Sequence, residues 1–219
     1  MTDKIQYTNL DVVGVNAITL DAGDTLEVLP GVRVTTTTGF AAVYSTASSV
    51  AVNIDGTLFG DNAIFFTGGS ANDVVQVETQ AILSAIHNTI DIAGSGDSVT
   101  NDGQITSIEG DGLSLGAGST VANSGTITGQ LAGVVATDGS TVDNSGTIHG
   151  GVQFTAGNNV LDNDSGGTIT GAIDMGAGGG RIDNAGYLHG DIDLGGGTTR
   201  LINDGTITGD ISGAGSEDL

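Results

Sequence analysis

Val99-Thr100-Asn101-Asp102-Gly103-Gln104-Ile105 is answered by Val121-Ala122-Asn123-Ser124-Gly125-Thr126-Ile127 and by Val142-Asp143-Asn144-Ser145-Gly146-Thr147-Ile148. The phrase returns, two residues longer, from Leu161-Asp162-Asn163 to Gly167-Thr168-Ile169. It closes with Ile182-Asp183-Asn184-Ala185-Gly186-Tyr187-Leu188 and Leu201-Ile202-Asn203-Asp204-Gly205-Thr206-Ile207. The lead apolar residues lie 22, 21, 19, 21 and 19 positions apart. A unit so short cannot bury an apolar face alone and must stack on its neighbours, so the period predicts a solenoid.

The alternation inside a unit says which side chains enter the stack. Ile182, Asn184, Gly186, Leu188, Gly190, Ile192 and Leu194 share one parity, and Asp183, Tyr187, His189, Asp191 and Asp193 the other. Strands send alternate side chains to opposite faces, so the first set points inward and the second to solvent. Asn101, Asn123, Asn144, Asn163, Asn184 and Asn203 then stack inside as structural amides, each bonding its neighbours above and below. Glycines mark the corners, with Gly176-Ala177-Gly178-Gly179-Gly180 and Gly195-Gly196-Gly197 as Gly-rich turns.

Upstream of Val99 the period loosens. Leu26, Val52 and Val77 read as earlier lead positions, which puts Val28, Ile54 and Thr79 where Asn stands later. Ala81 to His87 could pass for helix but has no clear cap, and Thr89-Ile90-Asp91-Ile92 alternates after it, so it reads as strand. The expected fold is all-β: a single-domain, right-handed parallel β-helix of about nine coils of 19–26 residues. Residues 1–25 form an N-terminal cap or irregular first coil, 26–98 the longer irregular coils, 99–212 the regular repeats and 213–219 a tail.

Composition narrows the function classes. Four Lys+Arg against 26 Asp+Glu give a formal net charge of -22, a field that repels nucleic acid and anionic membrane and attracts cations. Aromatics are few (Phe 5, Tyr 3, Trp 0), so Ile, Val, Leu and Ala must fill a narrow interior. Cys is absent, which excludes disulfides and thiolate metal sites. No apolar run is long enough to cross a bilayer as a helix, and Met1 to Gln6 does not have the character of a secretory leader.

The Asn-x-Gly-Thr-Ile-x-Gly phrase at 123–129, 144–150 and 203–209 resembles the repeats of bacterial secreted β-helix proteins. These include autotransporter passengers, haemagglutinin-like proteins and type I-secreted adhesins. The resemblance implies an extracellular or cell-surface setting, reached by a leaderless type I-like route if Met1 is native. It also implies a structural or adhesive role with a cell-surface or glycan partner, while solenoid ends, whose strand edges carry unpaired backbone groups, suggest end-to-end self-association. It specifies architecture better than activity, because such repeats serve adhesins, enzymes and filaments alike.

Several outward residues could carry chemistry. Asp143, Asp162 and Asp183 occupy one outward position on successive coils, so their carboxylates repel unless a cation or Arg intervenes. Asp191 with Asp210, and Asp174 with Asp193, form weaker pairs. Ca²⁺, which takes six to eight oxygens, is the one cofactor such rows suggest, while Arg181 and Arg200 lie close enough in projection to neutralise the first row. The calcium-binding nonapeptide is not met, since Asp97 in Gly94-Ser95-Gly96-Asp97 stands one place early.

Thr126, Thr128, Thr168, Thr170, Thr206 and Thr208 form outward Thr-Ile-Thr pairs, the arrangement of ice-binding solenoids, interrupted by Gln104, His149, Tyr187 and His189. Outward Thr is also simply a good strand residue. His149 and His189 stand two coils apart, too far to share a tetrahedral metal, and His87 stands alone. A polysaccharide-active enzyme would have Asp162, Asp183, Arg181 and Arg200 to work with. The coils from 121 onward, however, lack the loops that wall a substrate groove. The composite expectation is a non-enzymatic acidic rod.

Overall fold

The structure, a computed structural model, describes residues 1–213; of the tail expected at 213–219, everything after Gly213 lies outside the described residues. Among the described residues there are thirty strands and no helix. They form three ten-stranded sheets, and every named pairing within them is parallel. Each winding gives one strand to each sheet in turn, so the molecule is a parallel β-solenoid of ten rows. At about 4.8 Å per row the stack is about 45 Å long.

The tenth row comes from the residues before Leu26. Asp3–Gln6, Leu10–Asp11 and Ile18–Leu20 pair with Thr25–Val28, Arg33–Thr35 and Ala41–Ser45, completing a full winding. Its inward positions in the first sheet hold Lys4 and Gln6 in place of apolar side chains. Lys4 Nζ donates to Thr19 O at 2.9 Å and to Asp24 at 2.8 Å, and Gln6 Nε2 donates to Thr8 O at 2.5 Å. Polar groups thus close this end in the first sheet, while half-buried Leu10 and Ile18 cover Val34 and Val43 in the other two. At the last described row, apolar Leu201 and Ile207 are half-buried and Ile211 is exposed.

From Val99 to Leu201 the register follows the repeated phrase: Val99, Val121, Val142, Leu161, Ile182 and Leu201 are successive partners. Upstream, one reading is corrected. The partner of Val52 and Val99 is Val75, and Val77 stands between Ile54 and Asn101. Val77 and Thr79 were therefore placed two residues too late. The cause lies in Val74-Val75-Gln76-Val77, where three valines offer two lead candidates of the same parity. Periodicity fixes which face a residue takes, but a two-residue slip keeps that face. The run 82–85 is strand, with Leu83 and Ala85 inside.

The core is a set of columns. In the second sheet Leu58, Leu83, Ile105, Ile127, Ile148, Ile169 and Leu188 are fully buried one above another. In the third, Phe66, Ile92, Leu115, Ala136 and Phe154 share a column, with Ala136 beneath the larger ring of Phe154. Each such aliphatic side chain contributes about 1.5–3 kcal/mol by leaving water.

The corner between the first and second sheets carries the amide ladder. Asn101 Nδ2 donates to Asn123 Oδ1 at 2.7 Å, and the pattern repeats through Asn144, Asn163, Asn184 and Asn203 at 2.6–2.8 Å. The glycine two residues on is required by proximity. A Cβ at Gly125 would stand 2.2 Å from Gly103 O, and one at Gly146 2.2 Å from Gly125 O.

Candidate functional site

The first sheet and its amide corner present an acidic face. Asp143, Asp162 and Asp183 are direct partners on adjacent strands, in the row read from the sequence. Two shallow depressions on this face bring Asp102 and Asp164 in with them, residues the outward-parity argument passed over because they lie in the corner.

Arg181 occupies this row. Its guanidinium meets both oxygens of Asp162 at 3.0 Å and Asp183 Oδ2 at 2.8 Å, bridging two successive strands. Burial, opposed by Arg181, holds the Asp162 carboxyl above the ordinary range, and burial with the nearby Asp162 charge raises Asp143. Among the described residues no three His, Asp or Glu side chains come together as a metal-holding group. Arg200 stands beside Arg181 in register. The arrangement can attract cations diffusely, and Arg181 already neutralises its middle.

The weaker acidic pairs have local work. Asp174 and Asp193, partners in the third sheet, each accept the backbone N–H two residues on, from Gly176 at 2.8 Å and Gly195 at 2.9 Å. Asp191 accepts the N–H of Asp210 at 3.0 Å. These carboxylates tie turns and adjacent rows together.

The second sheet presents threonine columns. One runs Gln104, Thr126, Thr147, Thr168, Tyr187, Thr206, and the other Thr106, Thr128, His149, Thr170, His189, Thr208. Thr106 and Thr147 belong to them although neither sits in a Thr-Ile-Thr triplet. His149 and His189 stay two rows apart, and each ring Nδ1 lies 2.7 Å from a threonine hydroxyl, of Thr170 and Thr208. Tyr187 and His189 stack face to face at 6.1 Å and rise from this surface. His87 pairs with Asp61 at 3.0 Å on the corner that follows.

A second polar column lies where the third sheet turns into the first, and sequence reading missed it. Backbone hydrogen bonds place Asp24, Val50, Asp73, Asp97, Ser119, Ser140 and Asn159 one above another. Side chains along it accept the N–H of the preceding row: Asp73 from Val50 at 2.9 Å, Asp97 from Asp73 at 2.9 Å, Ser140 from Ser119 at 3.2 Å and Asn159 from Ser140 at 2.9 Å. A left-handed residue precedes most steps, Gly in several and Ser49 or Asn72 where φ is +61° and +55°. The signal was available as a polar residue directly following Gly before the lead strand at Asp24, Asp97, Ser119 and Ser140, but the residue type changes from row to row. No protein-family model, no curated protein and no solved structure matches the chain.

Proposed function

We infer that the chain is a structural or adhesive segment of a secreted or surface-exposed bacterial protein, a stiff acidic rod that spaces or joins other parts. The observation that carries this reading is the uninterrupted stack. All three sheets run through ten rows, and the depressions on the acidic face are shallow. The repeat phrase supports the bacterial cell-surface setting by resemblance. The engagement of Arg181 by two aspartates favours this passive role over catalysis on polysaccharide. The parallel end rows offer strand-edge backbone groups with which another copy or a neighbouring part can pair.

A second reading, ice binding, draws on the in-register threonine columns. Against it stand the projecting Tyr187 and the two histidines beside Thr170 and Thr208.

Cell fractionation combined with protease shaving of the native bacterium tests the setting, and small-angle scattering across a dilution series tests the rod. The expected result is protein accessible outside the cell, with an elongated particle about 45 Å long or integral end-to-end multiples of it. Protein confined to the cytosol, or a compact particle, overturns the reading. Thermal hysteresis in the purified protein would move the assignment to ice binding.

A further inference from the structure

Among the described residues, five buried side-chain oxygens have no hydrogen-bond partner, and three of them sit on consecutive steps of one column: Asp73 Oδ2, Asp97 Oδ2 and Ser119 Oγ. All three residues are at most 1% exposed. Each carboxylate accepts one backbone N–H at Oδ1 and leaves Oδ2 without a partner, and a buried charge so incompletely satisfied is costly, which points to a missing positive partner. The same column shows what such a partner does. At Asp24, on an earlier row, Lys4 Nζ lies 2.8 Å from the carboxylate, while the N–H groups of Thr2 and Asp21 complete its shell. No basic side chain contacts Asp73 or Asp97 among the described residues: Lys4 is on Asp24, Arg33 on Asp11, and Arg181 on Asp162 and Asp183.

We propose that this corner binds one calcium-sized divalent cation between the free oxygens of Asp73 and Asp97, with the Ser70 hydroxyl oxygen beside Asp73 at its edge. Equivalent atoms on successive rows are about 4.8 Å apart, so an ion midway lies about 2.4 Å from each carboxylate. That is the Ca²⁺–oxygen distance of about 2.3–2.6 Å, and it exceeds the roughly 2.0–2.1 Å that Mg²⁺ demands.

A shared proton fits less well, because O–H···O bonds need about 2.5–3.0 Å between oxygens. The Ser70 hydroxyl stands beside Asp73 with its hydrogen shared between Thr67 O, at 2.8 Å, and the carboxylate. Two negative charges match a divalent ion. Burial raises both carboxyls above the ordinary range, the direction expected while no counter-charge is present.

The test is calorimetric titration of the chelator-stripped full chain with CaCl₂ and, separately, MgCl₂, with thermal unfolding of the same samples. Expected are one Ca²⁺ site per chain, a saturable rise of several degrees in Tm, and at least tenfold weaker response to Mg²⁺. Asp73→Asn and Asp97→Asn lose the calcium response, while Asp143→Asn and Asp162→Asn keep it. Titration of the wild-type chain needs no variant, so the proposal stays testable if an Asp variant fails to fold. No calcium response in the wild-type chain overturns the proposal. So does a response that survives Asp97→Asn, or one lost only in the acidic-face variants.

Discussion

Asn163 Nδ2 donates to Asn184 Oδ1 at 2.8 Å across a winding whose first corner carries two residues more than its neighbours. The extra residues are absorbed in a local turn, in which Gly167 N–H donates to Asp164 O at 2.8 Å, and Thr168 resumes register with Thr147 and Tyr187. The ladder therefore tolerates a change in corner length without losing a rung.

Each rung should be worth more inside the stack than at its end. Asn144→Ala removes an amide bonded to Asn163 and leaves the Asn123 amide only the longer bonds to Gly125 O and Thr147 O, at 3.4 and 3.3 Å, in a site with no access to solvent. The expected cost is about 1–3 kcal/mol. Asn203, exposed on the last described row, should cost less than about 1 kcal/mol when changed to Ala, because water replaces the lost partner. Urea unfolding of the two variants checks the difference.

The glycine after each rung is needed for space. Gly146→Ala drives a methyl to 2.2 Å from Gly125 O and 2.6 Å from the Ser124 carbonyl, so the rows must part locally. A loss of at least about 1–3 kcal/mol is expected, in the range of overpacked cores. Equal stability of Gly146→Ala and wild type in the same unfolding assay would contradict this close approach.

Ser49 offers the opposite case. Its φ of +61° places a Cβ in the left-handed region at a cost of about 1–2 kcal/mol, whereas glycine there loses about 0.5–1 kcal/mol through extra freedom in the unfolded chain. Relief of strain is the larger effect. Ser49→Gly should thus stabilise by up to about 1 kcal/mol, visible as a higher urea midpoint at unchanged slope.

Stability should rise on mild acidification. Burial holds Asp91, Asp111, Asp143 and Asp162 above the ordinary carboxylate value of 3.8, so the folded chain retains these protons to higher pH than the unfolded chain does. Their effect is a loss of stability as pH rises from that value through the raised ones. Asp24 acts in the opposite sense. Lys4, then the N–H of Asp21 and of Thr2, hold it down to about 2, and its contribution is complete above the ordinary value and lost as pH falls through about 2. In chelator-treated protein Tm should therefore be higher at pH 4.5 than at pH 7.5 and fall again below pH 3. A monotonic rise in Tm from pH 4.5 to 7.5 contradicts this balance.

Much of the architecture was legible because the solenoid writes its geometry along the chain. Alternation around Ile182–Leu194 placed each side chain inside or outside, and Asn-x-Gly marked one corner. The Asp143–Asp162–Asp183 row followed from the same register, and of Arg181 and Arg200, both named beside it, Arg181 pairs with Asp162 and Asp183. Two things escaped. Val75 and Val77 share parity, so pattern alone did not choose between them; pairing with Val52 and Val99 did. The column from Asp24 to Asn159 escaped because its place, set by a left-handed corner and a backbone N–H one row away, accepts Asp, Ser and Asn alike, so no single letter repeats. The tenth row hid behind Lys4 and Gln6, polar residues at places where an apolar signal was sought.

The equivalence of Asn123 and Asn144 makes this molecule a ruler with fixed graduations. Excising residues 123–143 would join Ala122 to Asn144, and Val121 would then sit between Val99 and Leu161 as Val142 now follows it. Every remaining strand would find a neighbour of the same kind, with the rod shorter by one step of about 4.8 Å. Length can therefore change in whole units, by duplication or loss of about twenty residues, without redesign of the interior.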